Sequence, residues 1–333
     1  MLTIENTHTL PALAKELLKC DNFVICGHVN PDGDCLGSQL ALAAALRACN
    51  KQVTCVLADT ASVEGALAAA LPNCESLVSA GEFASKCNTF VSVDVHSKSR
   101  IGSDACKLLS AASHTFVIDH HATANESVTG KHYYIDPNAA SNTLLIWQLI
   151  AQFGIEITPE IATCCYVGLC TDTGRFQFQN TDALCLRLGA EMLECGVDAA
   201  AVAREVFQNR TEASLRLEAL AVSKMEVNRK AGYVISYLTK EELQKYGAKS
   251  GDTSPIIDAL RCTAGIRVAC MLRERNGVVR ASLRAKDDVD VSKIAQQFEG
   301  GGHIAAAGCT LQLPMEDAYA AMKAAITKAV ETA

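Results

Sequence analysis

Residues 27–42 read GHVNPDGDCLGSQLAL, and this stretch places a polar loop between two apolar segments. The run before the loop, NFVICG (22–27), is typical of a buried β-strand. The segment after it, CLGSQLALAAALRAC (35–49), is apolar on nearly every side, and a helix without a polar face is expected to be buried. The stretch therefore predicts a strand, a polar loop and a core helix in immediate succession.

The loop carries an imidazole and two carboxylates at the point where the chain enters its core: His28, Asp32 and Asp34. The sequence NPDG (30–33) predicts a turn with proline at its second position, which fixes the loop and lets both carboxylates face one centre. We also expect Asp34 to cap the helix that follows.

The same alternation continues through the first half of the chain. Strand-like runs bounded by helical segments occur at QVTCVL (52–57), TFVSVD (89–94) and TFVIDH (115–120). Apolar strands that alternate with helices predict a parallel sheet covered on both faces. Residues 139–222 read as mostly helical, and strand-like and helical runs mix after them.

We therefore predict an α/β fold with a parallel-sheet N-terminal domain and a smaller α/β C-terminal domain. The predicted domains span residues 1–205 and 226–333, and a connecting helix is predicted over residues 206–225.

The composition excludes several classes of protein. A chain of 333 residues that is 49% hydrophobic and 20% charged is long and apolar enough for about two folded domains. No apolar stretch reaches the roughly 18 residues of a membrane span, and the N-terminus lacks a signal-peptide pattern, so we predict a cytoplasmic protein without a membrane partner. A net charge of −7 without a basic run argues against long nucleic acid as a ligand. No two of the sixteen cysteines are three residues apart, as a C-x-x-C pair requires, and most lie in apolar segments, which predicts reduced core thiols.

Strand-like runs that feed polar loops end in candidate metal ligands. Asp94 ends one such run, and Asp119, His120 and His121 end another. Asp172 follows a helical run and is a further candidate. Because sites in open parallel sheets form at the carboxyl ends of the strands, we expect these residues to converge with the loop after the first strand.

Several carboxylates that meet at one edge repel each other unless a cation joins them. Carboxylates and imidazoles without a cysteine ligand suit Mn²⁺ or Mg²⁺, and less clearly Zn²⁺ or Fe²⁺. The candidate ligands outnumber those of one four-coordinate site, so we predict two metal ions. Paired metals about 3.5–4 Å apart activate water and clamp a phosphoryl group.

Five segments resemble, in this order, the motifs of the DHH phosphoesterase superfamily and the GGGH motif of its associated C-terminal domain: HVNPDGD (28–34), VDVHSKSRIG (93–102), VIDHHATAN (117–125), CTDTGRFQFQNT (170–181) and FEGGGHIAAAGCTL (298–311). Within the superfamily the chain is most similar to the stand-alone bifunctional oligoribonuclease and PAP phosphatase enzymes, also called nanoRNases. The resemblance implies a Mn²⁺-dependent hydrolase with its active site in the cleft between the two domains. Such enzymes cleave very short RNAs to mononucleotides and convert 3′-phosphoadenosine 5′-phosphate (PAP) to AMP.

The resemblance also implies which residues hold the two ions. One metal would be held by His28, Asp32 and Asp94. The other would be held by Asp34, Asp94, His120 and Asp172, so that Asp94 bridges the pair.

Further roles follow from the same resemblance. Asp119 would orient His120, and His121 would contact the scissile phosphate and assist the leaving oxygen. A terminal phosphate or the substrate backbone would be held by Arg284, the N–H groups of Gly300, Gly301 and Gly302, and His303. Consecutive glycine N–H groups suit an anion, and arginine offers a fork for two phosphate oxygens.

Other functions use the same residues. A phosphodiesterase for cyclic di-AMP or for a linear dinucleotide (pApA or pGpG) would share every catalytic residue. An inorganic pyrophosphatase would resemble only the N-terminal half, and the GGGH segment argues against it. A non-catalytic nucleotide-binding module would lack metal ligands, and none of the proposed ligands is missing. The native metal, the direction of cleavage and homodimer formation are left open.

Two positions depart from the superfamily pattern. His96 follows Asp94 where a small residue is expected, and Asn142 stands in place of a serine. We expect these departures to affect substrate preference and not catalysis.

Overall fold

The structure is a computed structural model that describes residues 5–58, 63–121, 128–249, 251–275, 277–286, 289–302 and 304–332. The chain forms two compact units, which divide after Asn209. Each unit is built on one six-stranded sheet.

The first unit contains these strands: β1 (Phe23–Cys26), β2 (Val53–Leu57), β3 (Val78–Ser79), β4 (Thr89–Val93), β5 (His114–Asp119) and β6 (His132–Ile135). Its helices are α1 (Leu10–Leu18), α2 (Gly33–Ala48), α3 (Gly65–Ala70), α4 (Ser103–Ala111), α5 (Asn142–Ile150), α6 (Pro159–Asp172), α7 (Ala183–Glu194) and α8 (Ala199–Ala203). Short 3₁₀ turns cover Cys74–Ser76 and Lys98–Arg100, and a π-helical turn covers Arg204–Gln208.

The six strands of the first unit are parallel, in the order β3-β2-β1-β4-β5-β6. All four residues of β1 are buried, as expected for a central strand covered on both faces. The strand order reverses between β1 and β4, because β2 and β3 extend the sheet on one side and β4 to β6 on the other. The carboxyl ends of β1 and β4 therefore border the switch point at which open α/β sheets bind ligands.

The predicted core helix is α2, and thirteen of its sixteen residues are buried. It packs against α5 and α6, and Gly37 allows the close approach, since a Cβ there would lie 2.3 Å from the carbonyl oxygen of Cys164. The helix begins two residues earlier than a cap at Asp34 would place it. Asp32 is the N-cap, and its Oδ1 accepts hydrogen bonds from the N–H groups of Asp34 (3.1 Å) and Cys35 (3.0 Å). The predicted cap at Asp34 is therefore wrong: that residue lies inside the first turn.

The second unit contains these strands: β7 (Glu226–Asn228), β8 (Tyr233–Leu238), β9 (Val268–Arg275), β10 (Val278–Ala285), β11 (Gly301–Gly302) and β12 (Ala306–Leu311). Its helices are α9 (Glu212–Ser223), α10 (Lys240–Lys245), α11 (Ile256–Arg261), α12 (Val291–Gln296) and α13 (Met315–Thr332). The sheet order is β11-β12-β10-β9-β8-β7, and only the β8–β9 pair is parallel. One apolar layer packs α12 and α13 on the sheet, and another packs α9 and α11 on β8 and β9.

None of the sixteen cysteines forms a disulfide in the structure. Eleven are buried, and only Cys262, directly after α11, is exposed. Burial raises the pKa of the buried thiols, for example that of Cys55 to about 12. Among the described residues, no helix is both long and apolar enough to cross a membrane.

Candidate metal centre

Three adjacent strands of the first sheet deliver the predicted ligands. His28 lies just after β1, Asp94 just after β4, and Asp119 ends β5, with His120 next to it. These strands are neighbours in the order β1-β4-β5, and their parallel direction brings all of these residues to one edge. The convergence expected from the sequence is therefore observed.

The first group of donor atoms surrounds the ring of His28. Its Nδ1 lies 2.9 Å from the main-chain carbonyl oxygen of Val29, which fixes the ring and directs Nε2 inward. Nε2 lies 3.2 Å from Oδ2 of Asp94 and 3.9 Å from Oδ2 of Asp32. Asp32 thus uses one carboxylate oxygen to cap α2 and presents the other to this group.

The second group surrounds His120 and has the same design. Nδ1 of His120 lies 3.2 Å from the carbonyl oxygen of Ala139. Nε2 faces three carboxylates, at 3.3 Å from Oδ1 of Asp94, 3.3 Å from Oδ2 of Asp172 and 3.6 Å from Oδ2 of Asp34. Asp94 contributes one oxygen to each group, so it lies between the two histidines.

The carboxylate of Asp34 is fixed by main-chain donors. The N–H groups of Asn142 and Thr143, in the first turn of α5, donate to Oδ2 (2.6 Å) and Oδ1 (2.8 Å) of Asp34. Glycine at position 168 in α6 leaves room for it, because a Cβ there would lie 2.7 Å from Oδ1 of Asp34. The first turn of α5 therefore holds this candidate ligand, and α6 leaves the space for it.

The backbone of Asp94 is also specialised. Its φ of 58° lies in the left-handed region, which aspartate and asparagine tolerate better than most residues. The Asn142 amide, in the orientation that satisfies its neighbours, accepts from the N–H of Asp94 (3.1 Å) and donates to the Ile118 carbonyl (3.1 Å). Asn142 is fully buried, so it positions two ligands of the centre.

Asp119 links two histidines and lies behind the ligands. Its Oδ1 accepts from Nδ1 of His121 at 2.8 Å and from the N–H of His120 at 2.8 Å. Its Oδ2 contacts Nδ1 of His96, which is also buried. The predicted orienting role of Asp119 is therefore directed at the ring of His121, whereas the ring of His120 is oriented by a main-chain carbonyl.

Burial and crowding give the carboxylates unequal proton affinities. Burial and the charge of Asp94 raise the pKa of Asp34 to about 7. Burial and the charge of Asp34 raise the pKa of Asp172 well above its usual value. Burial also acts to raise the pKa of Asp94, but hydrogen bonds from His120 and His28 outweigh it and keep that pKa well below its ordinary value.

The same carboxylates raise the pKa values of His28 and His120. Burial lowers the pKa of His28, but the hydrogen bond to Asp94 and the charge of Asp32 outweigh it and raise that pKa to about 9. The pKa of His120 is raised well above its ordinary value, since its carboxylate neighbours outweigh burial in the same way. Without another cation, the centre can keep its carboxylates ionised only by protonating its histidines.

These observations fit a divalent cation. The ligand atoms of Asp34, His120 and Asp172 lie within 4.8 Å of one another, as do those of Asp94, His120 and His121. Both His28 and His120 have Nδ1 against a main-chain carbonyl, so in the neutral tautomer each directs the Nε2 lone pair at carboxylate oxygens. Acceptors that all face one point are stable only around a cation, and histidines oriented in this way are typical of metal sites.

Sequence reasoning missed Cys35. Its Sγ lies within 4.8 Å of the donor atoms of His28 and Asp94, although the predicted site contained no cysteine. Burial and the charges of Asp94 and Asp32 raise the pKa of this thiol well above its usual value, so it is neutral here. The sequence did contain a signal for Cys35. It follows Asp34 directly, in the first turn of the helix that Asp32 caps.

The predicted phosphate-holding residues belong to the second unit. Arg284 lies on β10, and its Nε is 3.8 Å from Oδ1 of Asp258. Gly301 and Gly302 form β11, which pairs with β12, and the N–H of Gly300 donates to the Ala295 carbonyl at 2.9 Å. A phosphate contact from this segment would therefore depend on Gly301 and Gly302. His303 lies outside the described residues.

Comparison with protein families gives two matches. Residues 22–169 match the DHH family, N-terminal domain, and residues 230–332 match the DHHA1 domain.

Two curated relatives span most of the chain. The bifunctional oligoribonuclease and PAP phosphatase NrnA of Thermus thermophilus is 32% identical over 312 residues, which cover 92% of this chain and 90% of that protein. The protein of the same name from Bacillus subtilis is 24% identical over 294 residues, which cover 87% of this chain and 90% of that protein.

Solved structures share the fold. The crystal structure of an exopolyphosphatase-related protein from Bacteroides fragilis has a TM-score of 0.87 and 25% identity, and the alignment covers 96% of this chain and 97% of that one. RecJ of Thermus thermophilus, crystallised in complex with Mn²⁺, has a TM-score of 0.53 and 16% identity, and the alignment covers 97% of this chain and 54% of that one. The similarity to RecJ concerns the fold alone.

Proposed function

The chain belongs to the DHH family, and we propose that it is a metal-dependent phosphoesterase acting on very short nucleotides. Its substrates are dinucleotides and slightly longer oligoribonucleotides, which it hydrolyses to mononucleotides, and PAP, which it converts to AMP. The relative that is 32% identical to this chain is named for both of these activities. We include a cytoplasmic location in the proposal, because sixteen free thiols suit a reducing compartment.

One observation carries the proposal: two buried histidines direct Nε2 at four carboxylates, and Asp94 is shared between them. We assign the two metal positions as the family resemblance implies. His28, Asp32 and Asp94 would hold one ion, and Asp34, Asp94, His120 and Asp172 would hold the other. The oxygen-rich ligand set suits Mn²⁺, with Mg²⁺ as the alternative. Such ions, when bound, neutralise the carboxylates, polarise phosphoryl oxygens and lower the pKa of water.

The residues around the metal positions have separate tasks. His121 donates its Nδ1–H to Asp119, so Nε2 is the ring atom that can meet a phosphate oxygen or protonate a leaving oxygen. Asp119 accepts this hydrogen bond and holds the His121 ring in one orientation, as a buried carboxylate does for a catalytic histidine. Asn142 and Thr143 keep the Asp34 carboxylate in place through their N–H groups.

The second unit supplies the substrate-binding groups of the proposal. Arg284, Gly301, Gly302 and His303 would bind a terminal phosphate, with Gly300 shaping the loop. We expect Arg284→Gln to raise the KM for a 5′-phosphorylated dinucleotide by about tenfold or more, because a charge-assisted hydrogen bond is lost. Mn²⁺ affinity should be unchanged in this variant.

The proposal is tested by a substrate panel with Mn²⁺, followed by chromatography of the products. The panel contains a linear dinucleotide, PAP, a cyclic dinucleotide and pyrophosphate. We expect mononucleotide from the dinucleotide, AMP from PAP and no product from pyrophosphate. Asp94→Asn should be inactive, whereas Asp104→Asn on the surface of α4 should match the wild type.

Two outcomes would contradict the proposal. Cleavage of the cyclic dinucleotide with neither PAP nor the linear dinucleotide turned over would assign the chain to a different activity. Equal turnover by the wild type and Asp94→Asn would mean that the described centre is not the catalytic one.

A further inference from the structure

One face of the sheet in the second unit changes from apolar to polar side chains between β9 and β10. On the face covered by α9 and α11, β8 and β9 present apolar residues such as Ala269 and Met271. The same face of β10 presents Arg280, Ser282 and Arg284, because its alternate residues point into the other apolar layer. On this face, the arginine and serine side chains of β10 thus stand in place of the apolar side chains of β8 and β9.

Arg273 stands at this transition. It is on β9, directly opposite Arg280 in the antiparallel pair β9–β10, so the two side chains share one face. Arg275 follows two residues later on the same face of β9. Three arginines therefore lie side by side, and like charges directly opposite each other destabilise a sheet.

The Arg273 side chain is partly buried and has no carboxylate partner among the described residues. Nη2 donates to the hydroxyl of Ser282, and Nη1 lies 3.5 Å from the hydroxyl of Thr253. Nε is buried and has no hydrogen-bond partner among the described residues. No described acidic side chain lies within ion-pair distance of Arg273, although a charge that is partly withdrawn from water is ordinarily paired.

The neighbouring acidic side chains are engaged elsewhere. Asp252 accepts from the hydroxyl of Thr211 (2.7 Å) and the N–H of Lys249 (2.6 Å). Asp258 lies 3.8 Å from Arg284, and Glu274 accepts from the N–H of Lys240. Burial and the charges of Arg275, Arg284 and Arg280 lower the pKa of Arg273 to about 10, and no nearby carboxylate offsets them.

We propose that Arg273 is the centre of a phosphate-binding site, with the hydroxyls of Thr253 and Ser282 and the guanidinium of Arg280 as its further donors. The ligand is a phosphate monoester or phosphodiester group, which the planar guanidinium binds through two oxygens. The nature of the natural ligand rests on the proposed function, because a dinucleotide carries a second phosphate beside the scissile one. The site would then contribute to the preference for substrates of a given length.

The test measures phosphate binding by the metal-free, full-length protein. Inorganic phosphate, AMP and adenosine are titrated calorimetrically into the wild type, Arg273→Gln and Arg273→Lys. Arg216→Gln is the matched control, because Arg216 lies exposed on α9 and pairs with Glu212. We expect Arg273→Gln to weaken the binding of phosphate and AMP by about tenfold or more, Arg273→Lys to weaken it less, and the control to leave it unchanged. Inorganic phosphate that binds as tightly as AMP identifies a site for the free ion, and tighter binding of AMP identifies one for nucleotides.

A second measurement separates a binding role from a structural one. In phosphate-free buffer, Arg273→Gln should melt at the same temperature as the wild type or higher, because a partly buried charge without a carboxylate partner is removed. Added phosphate should raise the melting temperature of Arg273→Gln less than that of the wild type and of Arg216→Gln, because the phosphate contacts proposed for Arg284, Gly301 and Gly302 remain in all three proteins. A variant that melts well below the wild type, or that fails to fold, would overturn the proposal, since Arg273 would then stabilise the sheet itself. Equal phosphate affinity in the wild type and Arg273→Gln would also overturn it.

Failure of this site is distinguishable from failure of the proposed function. Dinucleotide hydrolysis with normal KM and normal phosphate affinity in Arg273→Gln removes the site and leaves the activity. Loss of phosphate binding in Arg273→Gln, in a protein that hydrolyses no dinucleotide, keeps the site and removes the activity.

Discussion

The two units concentrate opposite charges, and they do so by different means. Residues 1–209 contain 12 lysines and arginines against 22 aspartates and glutamates, whereas residues 210–333 contain 18 against 15. In the first unit, parallel strands end at one edge and bring carboxylates together there. In the second, the alternation of antiparallel strands brings arginines onto one face. The first arrangement suits cations and the second suits anions, so the two together match a metal-dependent enzyme for phosphate esters.

The largest effect on the contrast between the two units is expected from a substitution of Asp94, whose carboxylate lies between His28 and His120 of the first unit. We expect Asp94→Asn to lower kcat/KM by more than the roughly 100-fold typical of residues behind metal ligands. The fold should persist, because asparagine also tolerates the left-handed backbone at this position. Calorimetric titration should give two Mn²⁺ ions per wild-type chain and fewer in the variant. Unchanged stoichiometry in Asp94→Asn would contradict the assignment of this residue as the shared ligand.

Metal binding is expected to affect the first unit and not the second. Mn²⁺ at 100 times its Kd should stabilise the protein by about 2.7 kcal/mol, measured by urea unfolding. Hydrogen exchange should slow at the loops after β1, β4 and β5, where the carboxylates lie. Equal slowing on β9 and β10 would show that the metal effect is not local to the first unit.

A smaller effect is expected at His96, which contacts the far oxygen of Asp119. His96→Leu should lower kcat by about 10- to 100-fold with little change in KM, because Asp119 then holds His121 less firmly. His96→Asn, whose amide can still donate to Asp119, should recover most of the activity. If both variants lost the same share of kcat, and their melting temperatures fell in proportion, His96 would contribute only to packing.

The smallest effect is expected from salt, and it concerns the second unit. Between 50 and 200 mM KCl, the KM for a dinucleotide should rise by several-fold, since each neutralised phosphate of a single strand contributes a slope of about 0.7. Arg284→Gln should flatten this dependence, and Arg216→Gln should not. A KM that does not change with salt would mean that arginine contacts do not contribute to substrate binding.

Much of the first unit was predictable because its signals are local. A buried strand and the polar loop after it are adjacent in sequence, so His28, Asp32 and Asp94 could be assigned to one edge before the structure was known. The groups that hold the Asp34 carboxylate were harder to predict. The N–H groups of Asn142 and Thr143 hold Asp34 from about 108 positions away, and main-chain donors leave no mark in a sequence.

The second unit was less predictable because its chemistry depends on register. The alternation around Arg284 was visible, but only the pairing of β9 with β10 shows that Arg273 faces Arg280. The absence of a nearby carboxylate among the described residues is likewise a property of the folded chain. Strand β11 and the bond from Gly300 to Ala295 were also missed, since two glycines carry no strand propensity.

The uneven exposure of the cysteines provides a practical handle. Fifteen thiols are at least partly buried, and burial raises the pKa of most of them, so they react slowly with maleimides. Cys262 alone is exposed, and it lies in the second unit. A fluorescent dye should therefore attach there first, without any engineered cysteine, and report by its anisotropy and emission when ligands reach that part of the chain.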